Sequence, residues 1–310
     1  MKLDPRQCEA VVAVIDSGSF EQAAAVLHVT PSAVSQRVRA LEVALGTPLV
    51  LRTRPCRATP AGRRLLQYLR RVQSLEDDLQ AEFAGDQAAP LSVTIALNND
   101  SLASWFLPAL APFAAAEQVL LDLVLDDQDH TYTLLEAGRA LGCVSTEPQP
   151  MRGCTVEALG RMRYRCMASP EFRARWFGKG MTRAAAQRAP VVVFDRKDRL
   201  QADFLLQHFG LPADAWPRHY IPASDPYMQA IVLGLGWGML PELQMRGLRE
   251  RGALVDIAPT RPVDVALYWH AWKVQSPRME RLSKALVAQA RRILRSGPGR
   301  GQAEAGTLHR

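Results

Sequence analysis

Residues 17–46 read SGSFEQAAAVLHVTPSAVSQRVRALEVALG, and within these residues two helices must start and three must stop. Gly18 ends a first helix over residues 4–16, where Val11, Val14 and Ile15 fall at helical spacing. Ser19 caps a second, short helix, with Gln22 three residues on as the other half of a capping box and Ala23, Ala24 and Leu27 forming a small-residue packing face. Thr30 and Pro31 supply the cap and first-position proline of a third helix. In that helix Val34, Val38, Leu41 and Leu45 recur at intervals of 4, 3 and 4 until Gly46 stops it. Two short helices joined by a tight turn, the second with an exposed polar stripe, are a helix-turn-helix.

The polar stripe indicates a use. Ser32, Ser35, Gln36 and Arg39 share one face of the third helix near its N-terminal half, with Arg37 beside them. Gln and Arg have bidentate geometry for adenine and guanine edges, while serine allows close approach and bonds phosphate. Outward from the helix, TPLVLRTRPCRAT at 47–59 is β-rich and carries Arg52 and Arg54 in alternation, as a wing along the DNA backbone or minor groove requires. The chain's net charge of +7 is concentrated here: residues 28–71 hold nine arginines, no lysine and one acid, Glu42. Such a block suits phosphate polyanions.

Beyond Thr59 and Pro60, Leu65, Leu69, Val72, Leu75, Leu79 and Phe83 form an apolar seam on a helix over residues 60–83. An isolated helix with such a seam must bury it, which implies a partner chain and a homodimer or tetramer. AGDQAAP at 84–90 reads as a linker. From Leu91 on, apolar runs (LSVTIAL, VLLDLVL, ALGCVS, YRCMAS, PVVVFD, GWGML, VALYWHAW) alternate with helical stretches, predicting an α/β unit with mostly parallel sheets. A helix is expected over 277–295, followed by a Gly-rich disordered tail.

At 310 residues, 48% hydrophobic and 22% charged, the composition is that of a globular protein of at least two domains. No apolar run approaches the ~20 residues of a membrane span, and the first residues lack an export signal, so the expected location is the cytoplasm. Five scattered cysteines with no C-x-x-C pair read as reduced core thiols. With no metal-ligand spacing, phosphate loop or nucleophile elbow, neither a metal, a cofactor nor an enzymatic activity is expected.

The run F-x-x-A-A, S-A-V-S-Q, L-E-x-x-L-G-x-x-L over residues 20–49 resembles the LysR-type transcriptional regulators, and the likeness extends along nearly the whole chain. NNDSLASWFLPALAP at 98–112, APVVVFD at 189–195 and LYWHAW at 267–272 are similar to the ArgP/LysG branch, also described as chromosome-replication initiation inhibitors. The resemblance implies an N-terminal all-α winged helix-turn-helix over 1–59 and a dimerising linker helix and hinge over 60–90. It further implies a two-lobed, periplasmic-binding-protein-like α/β effector domain over 91–297, with lobe I at 91–163 and 268–297, lobe II at 164–267, and the tail at 298–310. It implies operator DNA and RNA polymerase as partners, L-lysine or L-arginine as effector, and an amino-acid exporter gene as target. The alternative is an architectural DNA-binding inhibitor of replication initiation without ligand control.

In a two-lobed α/β protein the ligand sits between the lobes at strand C-termini and helix N-termini. This selects Asn98, Asn99, Asp100 and Ser101 after the first strand, with Ser101 as the preferred carboxylate contact. Asp126, Asp127, Asp129 and Thr131 follow the second strand, Ser145 and Thr146 the third, and Asp195 the strand of lobe II. Asp127 is preferred over Asp195 for the ligand's cation, because Arg196 and Lys197 adjoin Asp195. Aspartate after a strand is also ordinary turn chemistry.

Overall fold

Asp4 opens the first helix, α1 (Pro5–Ser17), by accepting from the N–H groups of Arg6 and Gln7, and Gly18 closes it in the left-handed conformation at φ 72°. The computed structural model describes residues 3–84, 90–126 and 131–295; residues 85–89 of the expected linker, Asp127, Asp129 and the expected tail lie outside them. Ser19 caps α2 (Phe20–Val26), accepting from Glu21 and Gln22, but its hydroxyl donates 2.6 Å to the Glu21 carboxylate, so Glu21 stands where a capping box with Gln22 was expected. Thr30 caps α3 (Pro31–Leu45), and Gly46 ends it at φ 66°. The wing is an antiparallel pair, β1 (Val50–Leu51) with β2 (Arg57–Ala58). Val11, Val14, Ala23, Val34, Val38 and Leu41 bury the apolar faces of all three helices in one core.

The long helix α4 (Pro60–Ala84) starts at the wing. Gly62 permits this, since a Cβ there would overlap the carbonyl oxygen of Leu49. The apolar seam divides along its length. Leu65 and Leu69 pack into the winged-domain core of their own chain, correcting their assignment to a dimer contact. Val72 is half-buried, while Leu75, Leu79 and Phe83 are 42%, 54% and 86% exposed. Another face of α4 rests on the effector unit: Ser74 Oγ lies 3.2 Å from Ser276 Oγ, and the Asp78 carboxylate accepts from the Arg278 N–H at 2.8 Å.

The α/β unit begins with β3 (Leu91–Leu97). Then come α5 (Asn99–Ser101), a π-helical turn (Leu102–Phe106) and α6 (Leu107–Ala116), a continuous run of helical backbone. β4 (Val119–Leu125), α7 (Thr131–Glu136) and β5 (Gly142–Ser145) follow, and β3 pairs parallel with both β4 and β5. β6 (Cys154–Ala168) then carries the chain into the second lobe. There α8 (Pro170–Phe177), α9 (Arg183–Arg188), β7 (Val191–Val193), α10 (Leu200–Phe209), β8 (Arg218–Tyr220), α11 (Ser224–Val232), β9 (Gly238–Pro241), α12 (Glu242–Glu250) and β10 (Val255–Asp256) are built. β11 (Val263–Trp272) returns antiparallel to β6, and α13 (Pro277–Ile293) covers the first lobe.

The main sheet runs β10-β6-β11-β5-β3-β4, with β9 also on β6. It is mixed rather than mostly parallel, because the two crossings between lobes are strands of opposite direction. Trp237, fully buried, belongs to the core.

His270 on β11 is fully buried, with Nε2 2.8 Å from the Glu147 carbonyl oxygen and its ring edge-on to Tyr132. A carbonyl can only accept, so Nε2 carries a proton. Burial lowers its pKa below the usual 6.5, outweighing the Glu147 contacts. A folded-state pKa depressed below the unfolded one contributes stability that is present above about pH 6.5 and is lost as pH falls through the folded value. Urea midpoints measured from about pH 7.5 to 5 should therefore fall less steeply in His270→Gln than in wild type. Parallel slopes would show that His270 charges without penalty.

Candidate functional site

One side of the winged domain collects the polar stripe of α3 and the wing. Ser32, Gln36 and Arg39 are exposed and Ser35 and Arg37 half-buried, while Arg52, Arg54 and Arg57 are exposed on or beside the wing. Arg52 lies over the Phe20 ring, 4.9 Å from its centroid, which directs the first wing arginine along α2. Glu42, the lone acid of the basic segment, does not neutralise this face. Its carboxylate accepts from the N–H groups of Leu49 and Val50 at 2.8 and 3.2 Å and so anchors β1 to α3. Arg70, paired bidentately with Asp16, and Arg71, stacked on Trp272, are engaged within the chain.

A cavity of about 420 Å³ opens between the two lobes. Its walls come from the start of α5, the ends of β4 and β7, the middle of β6, and from α10, α11, β9 and β11. Among the described residues five carboxylates line it (Asp100, Asp126, Asp195, Asp198, Asp203) against one cation, Arg199. Tyr164 and Tyr227 form the floor where the lobes join. Burial raises both hydroxyl pKa values, and Asp100 and Asp198 raise them further, so both stay protonated. Tyr164 donates to Asp100 at 2.7 Å.

The Gln201 amide sits with its oxygen toward the Tyr227 hydroxyl at 2.9 Å and its nitrogen toward Asp198 at 3.0 Å. Asp198 also accepts from the N–H of Leu200 at 2.9 Å. Asp195 accepts from the N–H groups of Lys197 and Asp198 at 2.7 and 3.0 Å, so it shapes the turn after β7 as well as lining the cavity. At the rim Lys197 Nζ lies 3.3 Å from Asp126.

Of the residues expected from sequence, Asn99, Asp100, Asp126 and Asp195 line this cavity, whereas Ser101, Thr131, Ser145 and Thr146 are not in its walls. Ser101 is fully buried, and Asn98 takes the helix-start donors internally: its side chain accepts from the Ser101 N–H and its carbonyl from the Leu102 N–H, both at 3.2 Å. The expected carboxylate cradle at Ser101 is thereby corrected. Thr131 donates to the Val144 carbonyl at 2.7 Å, fastening α7 to β5, and Ser145 accepts from the Glu147 N–H. Tyr164, Asp198, Gln201, Asp203 and Tyr227 were missed. For the aspartates a signal existed, since Asp195, Asp198 and Asp203 crowd the segment after the lobe II strand. Among the described residues no group of three or more His, Cys, Asp or Glu is placed to hold a metal ion, and no helix is long and apolar enough to cross a membrane.

Two family models match in tandem: the bacterial regulatory helix-turn-helix protein, lysR family, over residues 5–63, and the LysR substrate binding domain over residues 89–291. The HTH-type transcriptional regulator ArgP of Aeromonas salmonicida is 41% identical over 296 residues, 95% of this chain and 99% of that one. The crystal structure of ArgP from Mycobacterium tuberculosis superposes with a TM-score of 0.83 at 40% identity, covering 96% of this chain and 100% of that one. Full-length LysG from Corynebacterium glutamicum, solved with bound effector Arg, gives 0.77 at 36% identity, covering 94% and 100%. Helix-turn-helix, wing and two-lobed unit together place this chain in the LysR family of DNA-binding transcriptional regulators.

Proposed function

We propose that this regulator acts in the cytoplasm as a dimer or tetramer on operator DNA, with RNA polymerase as its partner at the promoter. It responds to L-lysine or L-arginine, and it controls a gene for export of that amino acid. The observation that carries the effector class is the charge of the inter-lobe cavity: among the described residues five carboxylates and one guanidinium line it, with the Lys197 ammonium at its rim. An amino acid with a cationic side chain brings two cations and one anion, a net charge of the sign that this surplus favours. A neutral or acidic amino acid brings no second cation to these carboxylates and so gains less from them. The arginine bound to the relative from Corynebacterium glutamicum supports the same class.

Calorimetry with lysine, arginine, norleucine and glutamate tests this. Asp198→Asn should weaken lysine or arginine at least tenfold, since truncating one member of a desolvated charge pair costs about 2–5 kcal/mol. Norleucine binding as tightly as lysine would remove the case for an acidic side-chain site.

On the DNA side, Ser32, Ser35, Gln36, Arg37 and Arg39 are assigned to base and phosphate contacts and Arg52 and Arg54 to the backbone. Gln36→Ala and Arg39→Ala should each lower operator preference by about 1–3 kcal/mol. Arg52→Ala should weaken operator and random DNA alike. Mobility-shift titrations in which Gln36→Ala keeps full preference would show that α3 presents another face.

Leu75, Leu79 and Phe83, exposed in a row on α4, are assigned to the contact between chains. Leu79→Asp with Phe83→Asp leaves the monomer core untouched, so sedimentation should show smaller species with unchanged folding. An unaltered mass distribution would place the chain contact elsewhere.

A further inference from the structure

The lobes are tied to one another at places that differ in exposure. Away from the cavity, Arg295 after α13 bonds Glu242 at the start of α12 at 2.6 Å. On the cavity floor, buried Tyr164 of β6 holds Asp100. At the rim the tie is an ion pair, Lys197 of lobe II with Asp126 of lobe I at 3.3 Å, whose side chains are 54% and 30% exposed. The Lys197 N–H is fixed to the Asp195 carboxylate, so its side chain departs from a defined turn.

We propose that Lys197 is a tethered stand-in for the effector's cation: its ammonium holds Asp126, and a basic effector enters by exchanging for it. The inference rests on the basic-amino-acid reading above and deepens it. The group at the rim is chemically the same primary ammonium that lysine carries at the end of its side chain. Exposed pairs of this kind contribute little to stability, so the exchange costs little, whereas a buried tie such as that of Tyr164 would be costly to break.

A ligand with an uncharged side chain has nothing to offer Asp126 and leaves the pair in place. A cationic one replaces it and becomes the new link between Asp126 and the carboxylates of lobe II. Lys197 thus tunes how strongly the cavity prefers cationic over neutral amino acids.

Calorimetry of L-lysine and norleucine on wild type, Lys197→Met, Lys197→Arg, Asp126→Asn and the Asp126→Asn/Lys197→Met double variant reads this out. Removing the competitor in Lys197→Met should raise the lysine-over-norleucine affinity ratio about two- to fivefold, while Lys197→Arg keeps it near wild type. Asp126→Asn should lower the ratio, and adding Lys197→Met to it should change nothing more. An unchanged ratio in Lys197→Met overturns the exchange, as does an equal rise in the Asp126→Asn background, which would mark a general charge effect. Wild-type protein that binds neither lysine nor arginine sinks the basic-effector reading and the exchange with it. That result is distinct from a wild type that binds lysine and a variant that leaves the ratio where it was.

Discussion

The antiparallel pairing of β6 with β11, from Tyr164 opposite Val263 to Cys154 opposite Trp272, is the interaction that both lobes share. Lobe I adds β5, β3 and β4 to one end of this ribbon and lobe II adds β9 and β10 to the other, so the cavity exists because the ribbon holds two units side by side. The register shifts between Leu267 and Tyr268, next to Gly160. Gly160 has φ 138°, and a Cβ there would lie 2.8 Å from that of Leu294, so only glycine fits both the backbone and the space. Arg161 and Arg295 exchange backbone hydrogen bonds at 2.9 and 3.1 Å, which braces the irregular point with the segment that follows α13. The bend between lobes is thereby set in backbone rather than in side-chain contacts.

The same ribbon sorts charge. In β6 the run Arg161, Met162, Arg163, Tyr164, Arg165, Cys166 alternates with period two, placing Met162, Tyr164 and Cys166 in the core and the arginines on the other face. Those arginines are held by acids outside the cavity: Arg163 bidentately by Asp264 at 2.6 and 2.7 Å, and Arg165 by Glu242 and Asp256. The Arg163 hydrogen bonds hold Asp264 below the usual carboxylate range. Burial pushes Glu242 upward, but hydrogen bonds from Arg295 and Arg165 outweigh it and leave it lowered. Strong cations are thus engaged on the outer face, and the cavity keeps an excess of carboxylates. At the other end of the molecule, Glu42 is turned into the wing, which leaves arginines uncompensated toward DNA.

The N-terminal domain was legible in sequence because its signals are local. A cap, a glycine stop and a 3.6-residue period each act within a few residues, and Ser19, Thr30, Gly18 and Gly46 mark the helix limits. The seam of α4 was legible as a pattern but not as an address: nothing local distinguishes Leu65, which meets its own wing domain, from Leu79, which faces solvent. The extent of β6 was hidden for a related reason. Only the end of this strand reads as an apolar run, since its arginines break the run while its neighbours in β11 and β9 supply the pairing. Lobe II's share of the cavity, Asp198, Gln201 and Tyr227, depends on how α10 and α11 meet, which no short-range pattern encodes.

The failure of the Ser101 expectation bears on how such a cavity discriminates. A helix start is a general anion site only while its N–H groups are unclaimed, and the Asn98 side chain claims that of Ser101. On the proposed reading, recognition rests less on the ligand's carboxylate, which every amino acid has, than on its cations, which few have in pairs. Protonated Tyr164 fits this division, since it steadies Asp100 without cancelling its charge. Two cavity carboxylates are met instead by exposed side chains, Asp126 by Lys197 and Asp203 by Arg199 at 3.1 Å. Partners that weak can be exchanged for a cation of a ligand and stay in place against a ligand that brings none, so on the proposed reading selectivity arises from what only a cationic ligand can replace.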